Sequence, residues 1–212
     1  ARTWFSPAYD SHGFIIFLLA AAIFGSSLSS PLQSVGSRAR AAWAVLLLTA
    51  LIRLLGVRLA VNTIGALALV LDVWALAVLA GLDRRRRSVS PFWLAVLFAL
   101  CLPVERLVQR AAGFALQLIS ARGAGGLLDL FWDVQVEGAR IILNGRDILV
   151  DLPCSGARGM MLSLTLLAAL MALVRPSFRQ SLAAILTTLL GALAGNVVRI
   201  VILAVGLAFP QR

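Results

Sequence analysis

The sequence has no lysine and, in 212 residues, a single histidine, His12. Cysteine is almost as rare: Cys101 and Cys154 are the only two, so at most one disulfide can form. One histidine and two distant cysteines are a poor ligand set for zinc. We therefore expect no metal site and no cofactor.

Charged residues are also scarce, at 13% of the chain, whereas 61% is hydrophobic and the mean hydropathy is +0.97. Globular chains are roughly 45–50% apolar, and a soluble protein of this composition would expose too much apolar surface. The composition therefore indicates an integral membrane protein. The net charge of +10 comes from arginine alone. These arginines flank or interrupt apolar runs, which argues for membrane topology and against nucleic-acid binding.

Six apolar runs predict six transmembrane helices. They cover residues 14–29, 41–52, 59–82, 91–103, 159–174 and 182–209. A span needs about 20 residues, so the second and fourth runs must recruit flanking residues. The positive-inside rule places three arginine groups in the cytoplasm, which puts both termini outside. These groups are Arg38 with Arg40, residues 84–87, and Arg175 with Arg179.

The largest predicted extramembrane segment is an extracytoplasmic insertion over residues 104–153. Residues 104–118 predict a helix lying in the membrane interface, because apolar and polar residues fall on opposite faces. The apolar face consists of Val104, Leu107, Val108, Ala111, Ala115 and Leu118, and the polar face of Glu105, Arg106, Gln109 and Arg110. The alternative is a soluble helix packed on the rest of the insertion. Residues 123–126, Gly-Ala-Gly-Gly, are expected to break this helix. Asn144-Gly145 between β-rich runs predicts a hairpin. The predicted fold is thus one all-α membrane domain over residues 1–212, with an interfacial helix and a β-hairpin inserted.

Two polar residues in apolar surroundings indicate a site. Cys154 stands at the head of the fifth run, and Arg199 interrupts the sixth. At 1.5 Å per residue, each lies about 30 Å from the inner end of its run, so both reach the outer boundary of the bilayer. Gly191 and Gly195 permit close helix approach. We therefore expect Cys154 and Arg199 to lie close together.

Such a pair has a defined chemistry. A neighbouring cation favours the nucleophilic thiolate of cysteine. Arginine can stabilise a thiolate, an oxyanion or a carboxylate, but it stays protonated and cannot act as the base. A base is still needed, normally histidine, and the predicted topology places His12 on the same side.

Together the motifs resemble the exosortase/archaeosortase family. They are Pro-Cys-Ser-Gly-x-Arg at 153–158, Gly-Asn-x-x-Arg at 195–199 and Ser-His-Gly at 11–13, with the hairpin before the cysteine. The resemblance implies a multi-pass cysteine protease/transpeptidase of the bacterial inner membrane, with its active site facing the periplasm. Its substrates would be membrane proteins with a C-terminal sorting signal of the PEP-CTERM type, in pathways associated with exopolysaccharide.

By the same resemblance, Cys154 is the nucleophile and Arg199 the catalytic arginine. The motif neighbours Ser155, Gly156 and Asn196 would support the site. Arg158, one helical turn after Cys154, would also support it or bind lipid phosphate. The family's catalytic histidine follows the arginine, and no histidine follows Arg199. We expect a truncated chain; the alternatives are that His12 substitutes or that activity is lost.

Less specific interpretations remain for each residue. Cys154 could be a small apolar residue at a helix start, and Arg199 could extend its charge to the interface. The alternative function is a non-catalytic membrane scaffold or transporter component, in which Arg158 and Arg199 hold an anionic lipid head group. Asp72, inside the third run, is expected to pair with an arginine of another span. Arg53 is expected to bound an outer loop.

Overall fold

The computed structural model describes residues 13–33, 39–58, 62–102, 104–150 and 156–209. It also describes their side chains, except at residues 55–58, 62–64 and 104–107. Each predicted apolar run forms a helix. These helices are α1 (Gly13–Leu28), α2 (Ala39–Arg58), α3 (Asn62–Leu79), α4 (Pro91–Leu100), α6 (Ala157–Val174) and α7 (Phe178–Ala208). A further helix, α5 (Val104–Leu128), precedes the strands β1 (Val134–Glu137), β2 (Arg140–Leu143) and β3 (Arg146–Leu149). The mostly helical fold with a small sheet is therefore confirmed.

Three segments of the described chain are long and apolar enough to cross a membrane. They are Gly65–Arg84, Ala157–Val174 and Phe178–Ala208. Two further apolar helices, Gly13–Leu28 and Pro91–Leu100, are shorter. These helices support a membrane protein, while the count of six spans stays a prediction.

The chain divides into two compact units. One comprises Ala1–Val104 with Thr165–Ser181, and the other comprises Glu105–Leu164 with Leu182–Arg212. The prediction of one membrane domain with an insertion at 104–153 stays a prediction. The units are described in turn.

The first unit is built from α1 to α4 and the 3-10 turn Leu82–Arg84. Its core combines buried leucines with alanines, and small residues let apolar helices approach closely. Ser90 caps α4 by accepting a hydrogen bond from the Trp93 N–H at 3.4 Å, and Pro91 occupies the first helical position. The backbone N–H of Ser90 donates to the Ala172 carbonyl at 2.8 Å, which connects this cap to α6.

Asp72 forms the expected ion pair, and its partner is Arg53 on α2. Thr49, also on α2 and almost fully buried, donates its hydroxyl to the Asp72 carboxylate at 2.5 Å. From the sequence we expected Arg53 at an outer loop and did not identify it as this partner. Arg53 lies one helical turn after Thr49, so both side chains can reach a single acid on α3.

In the second unit, α5 packs against both α7 and the sheet. Buried residues Ala121, Ala124 and Leu128 of α5 cluster with Ile200 and Ala204 of α7. The sheet contributes Ile141 and Leu143 of β2, together with Val150, to the same cluster. These contacts place the sheet and the second half of α7 against one face of α5.

The glycines at 123–126 do not break α5, which continues through them to Leu128. A methyl group at Gly123 would lie 3.0 Å from the side chain of Val197, and one at Gly125 would overlap Val136 of β1. These two glycines therefore permit close packing against α7 and β1. The helix break was a wrong prediction, because the glycines serve tertiary contacts.

The predicted apolar face of α5 is not the face that packs in this unit. Ala111 and Ala115 of that face are exposed, and its residues Val104 and Leu107 lie outside the described side chains. The buried stripe instead consists of Gly113, Gln117, Ser120, Ala121, Ala124, Gly125 and Leu128. An exposed apolar face is compatible with the membrane interface, and that placement stays a prediction.

The predicted hairpin is present and belongs to a three-stranded antiparallel sheet, in the order β1-β2-β3. Asn144 and Gly145 both have positive φ, at 52° and 72°, as a two-residue type I′ turn requires. Arg146, just after this turn, donates to the carbonyl of Leu207 at 2.8 Å. The hairpin is therefore attached to the end of α7. Strand β1 was not predicted.

Candidate functional site

The segment that carries the cysteine lies between Val150 and Gly156. Cys154 and Ser155 lie outside the described residues, as does His12. Both flanks of the segment are described, and both contact the same part of the second unit. The candidate site is therefore defined by the residues that hold these two flanks.

Gly156 fixes the C-terminal flank, at the start of α6. Its φ is +83°, a conformation that residues with a side chain rarely adopt. A methyl group here would lie 2.8 Å from Cγ and 2.9 Å from Nδ2 of Asn196. Only glycine therefore allows the α6 start to lie against Asn196. This contact joins Gly156, the described glycine of the Pro-Cys-Ser-Gly-x-Arg motif, to Asn196 of the Gly-Asn-x-x-Arg motif.

Asn196 is itself held from α5. It is buried, and its side-chain amide donates to the hydroxyl of Ser120 at 3.0 Å. Ser120 is fully buried. A buried amide needs such partners because an unsatisfied polar group costs free energy. Ser120 therefore sets the position of the side chain against which Gly156 packs.

Gln117 holds the N-terminal flank. This side chain is buried, and its amide donates to the carbonyl of Val150 at 3.1 Å. The N–H of Val150 donates to the carbonyl of Ala139 at 2.8 Å. Both backbone groups of Val150 are thus used, one by α5 and one by the sheet. The chain is fixed immediately before residues 151–155.

Gln117 and Ser120 therefore bracket the cysteine segment, one helical turn apart on α5. The sequence reasoning missed both residues, because it assigned the polar face of this helix to Glu105, Arg106, Gln109 and Arg110. The available signal was the spacing 117, 120, 121, 124 and 128. This is a helical stripe of polar and small residues, which is typical of a face packed closely on neighbouring elements.

Arg199 lies one turn after Asn196 on α7. Asn196 and Ile200 are buried, whereas Arg199 is exposed. Its guanidinium makes no hydrogen bond or ion pair within the described residues. Arg158, in the first turn of α6, is also exposed. The approach of Arg199 to Cys154 stays a prediction, because Cys154 lies outside the described residues.

No group of three histidine, cysteine, aspartate or glutamate side chains gathers as a metal site among the described residues. The other cysteine, Cys101, is a free and buried thiol just after α4. It belongs to the first unit.

The comparison with known families gives one result. The family model for transmembrane exosortase (Exosortase_EpsH) matches residues 4–209, nearly the whole chain. No curated protein and no solved structure matches the chain. The matched range contains both motifs that Gly156 and Asn196 bring together. The chain therefore belongs to the transmembrane exosortase family.

Proposed function

We propose that this chain is a bacterial inner-membrane cysteine transpeptidase that cleaves and sorts membrane proteins bearing a C-terminal sorting signal. Cys154 is the nucleophile, and the site faces the periplasm. The observation that carries the proposal is the packing of Gly156 against Asn196. It supports the proposal because Gly156 follows Cys154 by two residues and Asn196 precedes Arg199 by one helical turn.

In the first step, the Cys154 thiolate attacks the carbonyl carbon of the substrate's scissile peptide bond. A carbon–sulfur bond forms and the carbon–nitrogen bond breaks. The departing amine takes a proton, and the substrate is left as a thioester on the enzyme. Water or an acceptor amine then attacks the thioester and releases the thiol.

Arg199 supports this chemistry through its charge. A guanidinium near the thiolate lowers the free energy of the charged nucleophile, and its donors can stabilise the oxyanion that develops on the carbonyl. Asn196, one turn earlier on α7, has the positioning role. Its contact with Gly156 holds the start of α6 against α7.

A base must accept the proton of the Cys154 thiol. His12 is the one histidine of these 212 residues. His12 is therefore the candidate base within these residues, as the alternative to the histidine that follows the arginine in the family's pattern. If His12→Gln leaves substrate processing unchanged, that assignment is wrong, and the nucleophilic role of Cys154 is unaffected.

The test of the proposal follows a substrate in cells. A reporter carries a short motif, a transmembrane helix and a basic tail at its C-terminus, and cleavage is followed by its change in mass. Cys154→Ala, Cys154→Ser and Arg199→Ala should each abolish cleavage, whereas Cys101→Ala should retain it. A non-catalytic scaffold would tolerate Cys154→Ser, so full activity in that variant would contradict the proposal.

A further inference from the structure

Four consecutive arginines, residues 84–87, follow α3 and divide into two pairs with different surroundings. Arg84 contacts the Asp83 carboxylate at 3.4 Å and the carbonyl of Val78 at the same distance. Arg85 is half-buried and bonds only to backbone carbonyls. Arg86 and Arg87 are exposed. Within the described part of the chain, their guanidinium groups make no hydrogen bond or ion pair.

Arg85 organises the loop. Its guanidinium donates to the carbonyls of Leu28 and Ser30 at 2.8 and 2.7 Å, and to that of Ala80 at 3.0 Å. These carbonyls lie at or just beyond the ends of α1 and α3, where partial negative charge accumulates. Arg85 therefore removes the repulsion that helix ends would exert on an anion. It also ties residues 28–30 to the arginine segment.

Further bonds fix the remaining pair of arginines through their backbone. The N–H of Arg86 donates to the carbonyl of Pro31 at 3.1 Å, and that of Arg87 donates to the Ser30 hydroxyl at 3.2 Å. The Ser27 hydroxyl donates to the carbonyl of Arg87 at 2.7 Å. Both arginines are thus anchored by main-chain contacts while their side chains stay available. A ligand would find this loop already ordered, which lowers the entropic cost of binding.

The two arginines line a polar cleft of about 450 Å³ together with Ser29, Ser30 and Pro31. The acid closest in sequence, Asp83, is already engaged by Arg84. A third cation lies near, since exposed Arg175 donates to the Asp83 carbonyl at 3.1 Å. Among the described side chains, no acid pairs with Arg86 or Arg87, so these two arginines offer the cleft unpaired charge and fork-shaped donors, which suit phosphate oxygens.

We propose that this cleft binds the phosphate of an anionic glycerophospholipid head group. The guanidinium donors favour a phosphate as the ligand. The position of the cleft at the end of an apolar helix favours a lipid phosphate. The cleft begins just past Leu28, where an apolar helix ends, and apolar helices end at the depth of the lipid phosphates. The positive-inside rule also predicts that the cleft faces the cytoplasm. The anionic lipids of the cytoplasmic leaflet attract basic segments.

The experiment uses the full chain, purified free of lipid in a neutral detergent. Native mass spectrometry and thermal unfolding measure the binding of short-chain phosphatidylglycerol and phosphatidylcholine. The test variant is Arg86→Gln with Arg87→Gln. The matched control is Arg40→Gln with Arg179→Gln, which removes two exposed arginines from the same predicted side. Unchanged unfolding midpoints without lipid will show that both variants are folded.

Losing two charge-assisted hydrogen bonds should weaken phosphatidylglycerol binding by at least about tenfold in the test variant and far less in the control. The Arg86→Lys, Arg87→Lys variant should retain part of the binding, because lysine keeps the charge without the fork. Equal losses in the test and control variants would overturn the proposal, as would equal binding of phosphatidylcholine. Binding of inorganic phosphate as tight as that of phosphatidylglycerol would show that the cleft recognises free phosphate and would overturn the lipid assignment.

Discussion

Gly156 shows how much of the site depends on one missing side chain. Its positive φ and its contact with Asn196 both exclude a Cβ atom. The sequence identified this glycine as part of a motif, but it could not show what the glycine touches. A motif fixes residue types and spacing, whereas the partner depends on how α6 and α7 pack.

We predict that Gly156→Ala abolishes substrate cleavage and destabilises the protein by at least about 1–2 kcal/mol. The left-handed backbone and the displaced Asn196 side chain both contribute to this cost. Thermal unfolding in detergent and the cleavage assay measure the two effects. The control is Gly159→Ala, since a methyl group there meets nothing within 4 Å. Full activity in Gly156→Ala would show that the contact with Asn196 is dispensable.

Gln117 and Ser120 hold the two flanks of the cysteine segment from α5, Gln117 through Val150 and Ser120 through Asn196. Ser120→Ala removes the hydroxyl that accepts from Asn196, and Gln117→Ala removes the donor to the Val150 carbonyl. We predict a stability loss of about 0.5–3 kcal/mol for each change, because buried groups lose their partners. Cleavage and the alkylation rate of Cys154 should both fall.

The control for this pair is Thr187→Ala, whose hydroxyl bonds only to carbonyls of its own helix. If Ser120→Ala and Gln117→Ala lose stability but leave the Cys154 alkylation rate unchanged, then these residues do not position the cysteine. Their role would then be purely structural.

At the scale of elements, the apolar runs predicted the helices well, whereas periodicity predicted the contacts of α5 poorly. The apolar runs locate α1 to α4, α6 and α7, because a long run of good helix formers has few alternatives in a membrane. Asn144-Gly145 located the hairpin through its turn geometry. The glycines of α5 led to the wrong prediction of a helix break, because glycine is common both at helix ends and where elements pack closely. Only the neighbouring elements decide between the two.

We predict that Gly125→Ala destabilises the second unit by about 1–3 kcal/mol, because its methyl group would overlap Val136 of β1. Adding Val136→Ala to the Gly125→Ala variant should recover much of the lost stability, because the smaller side chain leaves room for the methyl group. Gly126→Ala is the adjacent control, with nothing within 4 Å, and should be neutral or slightly stabilising. Thermal unfolding is measured for the unsubstituted protein, Gly125→Ala, Val136→Ala and the double variant, which form a double-mutant cycle. Failure of Val136→Ala to rescue would disprove close packing at this point.

Asp72 on α3 pairs with Arg53 on α2. The sequence predicted an arginine partner for Asp72 but could not identify which arginine. Asp72→Asn leaves Arg53 without its counter-ion and weakens the bond from Thr49. The side chain of Arg53 is 39% exposed, so we expect a moderate loss of about 1–2 kcal/mol. Arg53→Gln in the Asp72→Asn background should add little further loss.

The control for this prediction is Asp147→Asn, which breaks the surface pair with Arg140. Both partners there are more than half exposed, so the change should cost at most about 0.5 kcal/mol. Equal effects of Asp72→Asn and Asp147→Asn would show that the helix pair gains nothing from the Arg53–Asp72 ion pair.

At the scale of the whole molecule, composition and arginine placement carry the argument. A chain that is 61% hydrophobic must be covered by lipid or by other protein, and the family match agrees with this. Sequence also predicted that Cys154 and Arg199 lie at similar depth, because each is about 30 Å from the inner end of its apolar run. Gly156 and Asn196 are close neighbours of these two residues in the chain. Their contact agrees with that reasoning. The predicted orientation of the chain in the membrane depends on the positions of the arginines alone.

The most direct test of the account is the reactivity of Cys154 in intact cells. A membrane-impermeant thiol reagent is applied across a range of pH to Cys101→Ala cells, with and without Arg199→Ala. We predict rapid labelling of Cys154 from outside. Arg199→Ala should slow it most near neutral pH, because loss of the cation reduces the thiolate fraction. Labelling only after the cells are permeabilised would contradict the predicted topology. An identical pH profile without Arg199 would contradict a site shared by the two motifs.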